Sequence, residues 1–554
     1  MNMPTNGSIS RRKLLGGAAF GLLALGTGGA LSACSSSDAA GMNKLSDTLT
    51  PLPTYIPVTK GPKPDLAGNG VVQPVYYNSP AQSELYRSVT GTVGDGSTTS
   101  GFVVTYDAPP PANNTYLQYI GRQANAKFDL TFVPGDSFAE KFATMIAGNS
   151  LPQMVEFLTF AMPPRYPQIL ASRFQDLSEY LSGDKIKEYP NLANIPSLSW
   201  VSARINGKIY GVPEHRPPFG SILVCRPDII KKLTGQEPAP KNEADFTELC
   251  KSITDAKANR YAITGQGGAD LVDWAYDIMG AIFGVPNGWK RTADGKFVSK
   301  YETEEWVRTV SYIKKLYSAG YYHPDTPSMQ SAQAKTYIAN GTVLLHMDGI
   351  SALLDTTLPD GVVTGGVVPF GADGGKGGNY QGSSSFSFTA LKKASPATIK
   401  EQLRLLNYLA APFGSQEQFD LTHGKEGVHY TGSGANAALT KAGETMVNAS
   451  SLYRLAAGPQ VLNLAVRKDE QLRRSHEWQV GTQHMLVQNP ATGLYSATAS
   501  QSGSAESAVL DTMNDYILGR ANLSKVRGAI RTWTANVGNT IRGEYESAYA
   551  KQHP

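Results

Sequence analysis

Side chains able to carry covalent chemistry are present in this chain, but their spacing matches no catalytic motif. The sequence contains neither HExxH nor the GxSxG turn that presents a nucleophilic serine. Ser182 and Lys185 have the Ser-x-x-Lys spacing of some acyl-transfer enzymes, but they stand in a polar turn, and this spacing arises easily by chance. The 46 acidic residues leave a glycosidase-type carboxylate pair open, although no segment singles out two of them. We therefore predict no catalytic residue.

Metal and cofactor sites are not indicated either. The eight histidines lack metal-ligand spacing, and there is no CxxC pair. The Gly-rich stretch 371–378 contains Gly-Lys-Gly where a phosphate-binding loop needs Gly-Lys-Ser or Gly-Lys-Thr. Cys225 and Cys250 could form a disulfide outside the cell, but two buried thiols are the favoured interpretation.

The N-terminus has the layout of an export signal. Arg11-Arg12-Lys13 precedes a run rich in Gly, Ala and Leu, which ends at Leu31-Ser32-Ala33-Cys34. This stretch resembles a bacterial lipoprotein signal, in which Cys34 receives lipid such as palmitate and becomes the new N-terminus. The arginine pair resembles a twin-arginine signal, from which Leu14 and Gly16 depart. An ordinary membrane helix is the alternative, but the many glycines between residues 16 and 29 weaken one.

Length and charge limit the class of protein. A chain of 554 residues is too long for one compact core and indicates two or more lobes. The formal charge is +4, and three of those charges belong to the signal, so the remainder is nearly neutral. Nearly balanced charge argues against a nucleic-acid partner, which would need a clustered basic face. No second long apolar run predicts a membrane span.

The elements that would position a site begin near residue 101. Residues 35–100 are rich in Ser, Pro, Gly and Thr and predict an extended tether. Strands are then predicted at 102–106, 128–133 and 154–157, with helices at about 115–124 and from Ser137 onward. This β-α-β-α-β run predicts a parallel sheet covered by helices, an α/β fold.

Later segments follow the same logic. Residues 343–347 read as a buried strand that stops at Asp348. Capping boxes are predicted at Ser137 with Glu140, at Thr398 with Glu401 and at Ser415 with Gln418.

Four short motifs in a fixed order carry a family resemblance. They are Met145-Ile146-Ala147-Gly148-Asn149-Ser150-Leu151-Pro152, Gly207-Lys208-Ile209-Tyr210-Gly211-Val212-Pro213, Cys225-Arg226-Pro227-Asp228 and Gly424-Lys425-Glu426-Gly427-Val428-His429-Tyr430. With these motifs, residues 101–554 resemble the extracellular solute-binding lipoproteins of ABC importers, in the large subgroup that handles oligosaccharides. The sequence departs at Gln153, where the family often has Asp, and at Pro227.

The resemblance implies a two-lobed, periplasmic-binding-protein-like α/β fold with a hinge and a central ligand cleft. We expect a first lobe at 101–213 with a return segment at about 324–366, and a second lobe at 214–323 continued by about 367–554. The implied partners are a carbohydrate, the transmembrane subunits of an ABC permease, and the membrane through the lipid on Cys34 of residues 1–34. We expect a monomer that makes or breaks no covalent bond. Some relatives carry a calcium loop, but the corresponding residues 255–260 include Ala and Lys, so no calcium is expected.

Candidate ligand contacts follow from the implied sugar and from the rule that α/β sites form where strands end. Aromatic rings can cover the apolar faces of a sugar, while charged and amide groups pair with its hydroxyls. The predicted contacts are Tyr106, Asp107, Glu156, Phe160, Glu214, His215, Arg216, Trp274, Trp289, Asp348 and Tyr380. Each has a structural alternative, such as core packing for the rings and a surface ion pair or helix cap for the charges.

Two other functions stay open at this point. The first is a surface-anchored glycan-active enzyme, and the second is a binder of a peptide or another non-sugar solute in the same fold.

Overall fold

Two separate β-sheets, each covered by helices, organise the part of the chain that the computed structural model describes. That part comprises residues 49–105, 109–265, 273–329, 331–354, 361–450, 452–463 and 469–552. Its strands are β1 (Thr98–Thr105), β2 (Lys127–Pro134), β3 (Met154–Leu158), β4 (Arg204–Ile205), β5 (Lys208–Ile209), β6 (Gly211–His215), β7 (Ser221–Cys225), β8 (Tyr261–Thr264), β9 (Trp289–Arg291), β10 (Phe297–Ser299), β11 (Val343–Gly349), β12 (Gly365–Gly366), β13 (Asn379–Tyr380), β14 (Ser385–Leu391), β15 (Tyr430–Thr431), β16 (Ala438–Leu439) and β17 (Leu486–Val487).

The helices flank these strands. They are α1 (Thr115–Ala124), α2 (Gly135–Ala147), α3 (Tyr166–Arg173), α4 (Ser178–Leu181), α5 (Pro190–Ala193), α6 (Ser197–Trp200), α7 (Pro227–Thr234), α8 (Glu243–Ile253), α9 (Asp273–Ile282), α10 (Glu304–Ser318), α11 (Ser331–Asn340), α12 (Pro396–Leu409), α13 (Gln416–His423), α14 (Lys441–Met446), α15 (Asp469–Thr482), α16 (Gly503–Ile517), α17 (Leu523–Trp533) and α18 (Asn539–Gln552). None of the described helices is both long and apolar enough to span a bilayer.

The first lobe is built on the sheet β2-β1-β3-β14-β6. Strands β1, β2 and β3 are parallel, whereas β14 runs antiparallel to β3 and β6. The predicted β-α-β-α-β run is therefore confirmed. Its strands bury large side chains such as Phe102, Phe157 and Phe388 against the helices.

The second lobe is built on the sheet β12-β7-β11-β8. Its core takes residues from α7 to α10 and from the C-terminal helices α16 to α18. In α10, Trp306, Val310 and Ile313 face this core, as their helical spacing predicts, and the Thr303 hydroxyl accepts from the Trp306 N–H at the start of the helix. Cys225 and Cys250 are both buried free thiols, which confirms the favoured interpretation.

The predicted return segment is wrong. Residues 324–366 were expected to rejoin the first lobe, but β11 and β12 lie in the second sheet, where β11 is paired on both sides by β7 and β8. The run 343–347 is apolar without alternation because both of its faces are buried. The strand that returns to the first sheet is β14, which lies between β3 and β6.

Residues 49–97 form a strap on the body instead of the predicted free tether. Val72 and Val75 are buried, and Val75 pairs with Leu462. Extended Pro-rich backbone suits a packed strap as well as a tether, since it leaves its own hydrogen-bonding groups for other partners. In this strap those groups are partly satisfied by the body, for example Thr50 N to Gly207 O at 2.9 Å.

Two of the predicted capping boxes are also wrong. Helix α2 begins at Gly135, before Ser137, whose hydroxyl donates to Pro134 O. Helix α12 is capped by Ser395, one residue before Pro396, so Thr398 lies inside the first turn. The third prediction is partly confirmed, because the Ser415 hydroxyl accepts from the Gln418 N–H at the start of α13.

Two hydrogen-bonded chain segments connect the lobes. Residues 216–220 run from β6 to β7, and residues 381–384 run back from β13 to β14. They are joined by Arg216 N to Ser384 O at 3.0 Å, Gly220 N to Tyr380 O at 2.9 Å and Gly382 N to Pro218 O at 2.9 Å. A third segment, 457–463, leads from the first lobe toward α15 and pairs with the strap.

Candidate functional site

Phe160, Phe386 and Tyr453 form a surface that we call the aromatic face. It lies at the end of the first sheet where β3 and β6 finish, beside the segments that cross between the lobes. Phe160 follows the end of β3, and its ring is 64% exposed. It meets the ring of Phe386, at the start of β14, edge to face with 5.1 Å between centroids. Tyr453, from the short turn 452–454, is 46% exposed, and the Cζ atom of Arg454 lies 4.8 Å from the centroid of its ring. Exposed apolar side chains that lie together mark interaction sites and ligand-binding grooves, so this face is a candidate for ligand contact.

Two guanidinium groups hold the Phe386 ring. The Cζ atoms of Arg216 and Arg454 each lie 4.0 Å from its centroid. Arg454 is itself almost buried and pairs with Glu214, with Nη1 at 3.2 and 3.1 Å from the two carboxylate oxygens. Arg216 is farther from Glu214, at 3.9 Å, and its side chain is 34% exposed. The arrangement fixes an aromatic ring and a partly exposed cation side by side.

Buried polar groups lie beneath this face. Glu156, on β3, is fully buried, and its Oε2 accepts from Val104 N at 2.8 Å. Burial, with a smaller contribution from the neighbouring Glu214, raises the pKa of Glu156 to about 8. Burial lowers the pKa of His215 to about 4, and its Nδ1 lies 2.8 Å from Ser199 Oγ. Both groups are therefore neutral at pH 7, and their burial favours a structural role.

The second lobe contributes Asp348 at the end of β11. Its Oδ2 lies 3.2 Å from Nε2 of the buried His346, and its Oδ1 accepts from Gly349 N at 2.7 Å. The backbone contact is local, as expected for an aspartate that ends a strand.

Two cavities next to the aromatic face are lined by residues from both lobes. One cavity, of about 180 Å³, is lined by Thr159 and Tyr166 of the first lobe and by Thr492 and Tyr495 of the C-terminal segment. Another, of about 720 Å³, adjoins Tyr453 and reaches Ile350 and Ser351, just after β11. Thr159, next to Phe160 in the chain, and Tyr453 thus line cavities to which both lobes contribute.

The predicted contacts separate into three groups. The structure brings together five of them at one end of the first sheet: Glu156, Phe160, Glu214, His215 and Arg216. It places Asp348 at the end of a strand of the second sheet. Tyr106, Asp107 and Cys34 lie outside the described residues, as does the side chain of Trp274, whose backbone belongs to α9.

Trp289 and Tyr380 are placed in the core of the second lobe, so the structure does not support ligand contact for them. The Trp289 ring packs edge to face against Tyr545 at 5.4 Å. The Tyr380 hydroxyl donates to Val285 O at 2.8 Å, and the ring is 5% exposed. Packing accounts for both rings.

Sequence reasoning missed Phe386, Tyr453 and Arg454. Phe386 lies where the pairing of β14 with β6 shifts in register, between Ser385 and Phe388, and such irregularities redirect side chains. The Ser-Phe-Ser-Phe alternation at 385–388 indicates a strand, but it does not indicate the register shift within that strand. Tyr453 and Arg454 come from a short turn without a periodic pattern.

The described residues contain no group of three or more His, Cys, Asp or Glu side chains placed to hold a metal ion. At the loop 255–260, the Asp255 side chain accepts from Ala258 N and Asp255 pairs with Arg260 through the backbone. These contacts give Asp255 a structural role.

Two helix-covered sheets joined by paired crossover segments, with a cleft between them, define a two-lobed solute-binding protein. The chain belongs to the bacterial extracellular solute-binding protein family, whose model matches residues 108–412.

Individual relatives agree with this assignment. The polygalacturonan/rhamnogalacturonan-binding protein YtcQ of Bacillus subtilis is 24% identical over 469 residues, covering 81% of this chain and 91% of the relative. The lipoprotein LipO of the same species is 21% identical and covers 79% of this chain and 89% of its own length. Among solved structures, an HMO-binding, ABC-transporter-associated solute-binding protein from Bifidobacterium longum infantis has a TM-score of 0.58 at 12% identity, covering 84% of this chain and 99% of that one.

Proposed function

We propose that this protein captures an oligosaccharide outside the cytoplasmic membrane and delivers it unchanged to an ABC permease. The observation that carries the proposal is the exposed ring of Phe160, packed on a Phe386 ring that two arginines hold, next to cavities that both lobes line. Rings of this kind cover the C–H faces of a sugar, and Arg216 can donate to its hydroxyls. The family assignment supports solute capture, and the glycans named for YtcQ and for the Bifidobacterium protein support a carbohydrate.

Anchoring and partners complete the proposal. Lipid on Cys34 would keep the protein at the membrane surface, where the permease takes the sugar, and the name of LipO supports a lipoprotein. The protein would act as a monomer with its lobes assigned to the two sheets.

The buried carboxylates argue for binding instead of hydrolysis. Glycoside hydrolysis needs one protonated and one ionised carboxyl group on either side of the scissile bond. Glu156 and Glu214 are neighbouring carboxyl groups, but they are 0% and 1% exposed, and Glu214 is held by Arg454. Neither of them can reach a glycosidic bond in the cleft.

A ligand screen tests the proposal. The full chain, purified from detergent-solubilised membranes, should melt at higher temperature with malto-, manno-, xylo- or galacturono-oligosaccharides. A ligand present at about 100 times its Kd adds roughly 2.7 kcal/mol to the free energy of unfolding. Chromatography should recover the sugar intact.

Phe160→Ala should raise the Kd of the bound sugar by roughly tenfold, equivalent to about 1.4 kcal/mol, because the stacking ring is lost. Leu233→Ala removes another exposed apolar side chain, in α7, and as the matched control it should bind as the parent does. No binding of any oligosaccharide would refute the proposed function, and cleavage of the sugar would favour the enzyme.

A further inference from the structure

The larger of the two cavities, which we call the side cavity, opens next to Tyr453 of the aromatic face. Its volume is about 720 Å³. The walls come from α13, from the crossover segment 457–463 and from the strap at Gln73 and 79–80, while the second lobe adds only Ile350 and Ser351. The cavity is therefore formed almost wholly by the first lobe and the strap. It lies within the size range of small-molecule sites.

Amide side chains are prominent among the polar groups of this side cavity, which also include hydroxyl groups such as those of Ser79, Ser351 and Thr422. Gln418, Asn448 and Gln460 line it, and their side chains make no hydrogen bond to any of the described residues. An amide both donates and accepts, so three of them can pair with hydroxyl groups of either orientation. Leu452 and the exposed ring of Tyr453 supply apolar surface beside them.

Charge is missing from the lining. Of the described residues that line the side cavity, none is Asp, Glu, Lys or Arg. His423 is the only titratable nitrogen base among them, and burial lowers its pKa, so it is neutral at pH 7. An ionic group placed here would be partly desolvated without a counter-charge, which is costly. The lining thus favours an uncharged ligand that carries hydroxyl groups.

We propose that the side cavity is a subsite for an uncharged sugar unit of the same oligosaccharide whose other part covers the Phe160 face. This proposal rests on the proposed function. Tyr453 belongs to both surfaces, so a linear chain that leaves the aromatic face meets the cavity directly. Because the first lobe forms most of the walls, the subsite persists when the lobes separate.

The test compares ligand lengths. Isothermal titration of the full chain uses malto-, manno-, xylo- and galacturono-oligosaccharides of roughly two to eight units. In the neutral ladder that binds, Kd should fall with length and then level off. The double variant Asn448→Leu, Gln460→Leu should weaken the longest members by about tenfold or more, as expected for two lost hydrogen bonds of about 1 kcal/mol each. The disaccharide should bind the variant and the parent equally.

Control variants separate the possible failures. Gln236→Leu, an exposed glutamine on the second lobe, should bind every length as the parent does. Phe160→Ala should weaken all lengths. If the double variant binds each length like the parent, the subsite is refuted while the proposed function stands. Equal dependence of the galacturonate ladder on Asn448 and Gln460 would refute the uncharged unit. If no ladder binds, the proposed function fails, and the subsite fails with it.

Discussion

The carboxyl group of Glu156 is buried where a negative charge is costly. Its neighbours are the carboxylate of Glu214 and the guanidinium of Arg454, and the first of these disfavours ionisation further. The pKa of about 8 lies above the ordinary value of 4.5. The folded state therefore binds this proton more tightly than the unfolded state does. Its contribution to stability is full below about pH 4.5 and is lost as the pH rises through about 8.

Glu156→Gln should remove this dependence, because the amide keeps an acceptor for Val104 N–H and cannot ionise. Urea unfolding of the parent should show a free energy that falls by up to about 1.4 kcal/mol per pH unit between pH 5 and 8, relative to the variant. Glu426→Gln, at an exposed loop position, should keep the slope of the parent. Parallel slopes for parent and Glu156→Gln would contradict the buried, protonated carboxyl.

Individual residues of the candidate site were predictable only where they follow a strand end along the chain. Phe160 and Arg216 come directly after β3 and β6, so the general rule for α/β sheets selects them. Arg454 reaches Glu214 from 240 residues away. No local pattern encodes such a long-range pair. Trp289 shows the opposite failure, because a turn next to a Trp says nothing about whether its ring faces outward.

Among the elements, the strap changes how the N-terminal region must be understood. Gln73 and Gln479 of α15 form a reciprocal pair, with Gln73 N to Gln479 Oε1 at 2.9 Å and Gln479 Nε2 to Gln73 Oε1 at 3.1 Å. Since both residues are buried, these hydrogen bonds join the strap to the second lobe where water cannot replace them. Other parts of the strap contact the first lobe, for example Ser88 with Glu417.

Gln479→Leu should lower the free energy of unfolding by about 1 to 3 kcal/mol, because the buried Gln73 N–H loses its acceptor. The check is equilibrium denaturation of the full chain. Gln483→Ala removes an exposed contact to Asn69 one turn later and should change stability by less than about 0.5 kcal/mol. A Gln479→Leu protein as stable as the parent would show that the strap is not part of the folded body.

The sequence predicts periodic elements better than aperiodic ones. The strands at 102–106, 128–133 and 154–157 and the core face of α10 were found from their spacing. The strap was not, because its buried valines are isolated among Pro, Gly and Ser and no period links them. The start of α12 was predicted a few residues too late. Ser395 and Pro396, which favour the start of a helix, precede the proposed capping box.

For the molecule as a whole, the crossover segments are the expected hinge between the lobes. Segments 216–220 and 381–384 are hydrogen-bonded to each other, so we expect rotation about them to move the lobes as rigid bodies. Gly220 approaches Tyr380 closely, since a Cβ there would lie 2.7 Å from its carbonyl oxygen. This contact requires the glycine.

Small-angle scattering should report a smaller radius of gyration when a saturating oligosaccharide is added, because the lobes close on it. Gly220→Ala should disturb the paired segments and reduce or abolish that change, whereas Gly543→Ala, in α18 with open space around it and no positive φ, is a control for the substitution alone. An unchanged radius in the parent at saturation would contradict closure of the cleft.

The position of β14 has a consequence for biosynthesis. It separates β3 from β6 in the finished sheet, yet it is translated about 170 residues after β6 ends. At about 5 to 20 residues per second, a ribosome needs roughly 10 to 30 seconds to supply it. During that interval β3 and β6 lack the strand that lies between them, so their edges stay unpaired until residues 385–391, in the last third of the chain, have emerged.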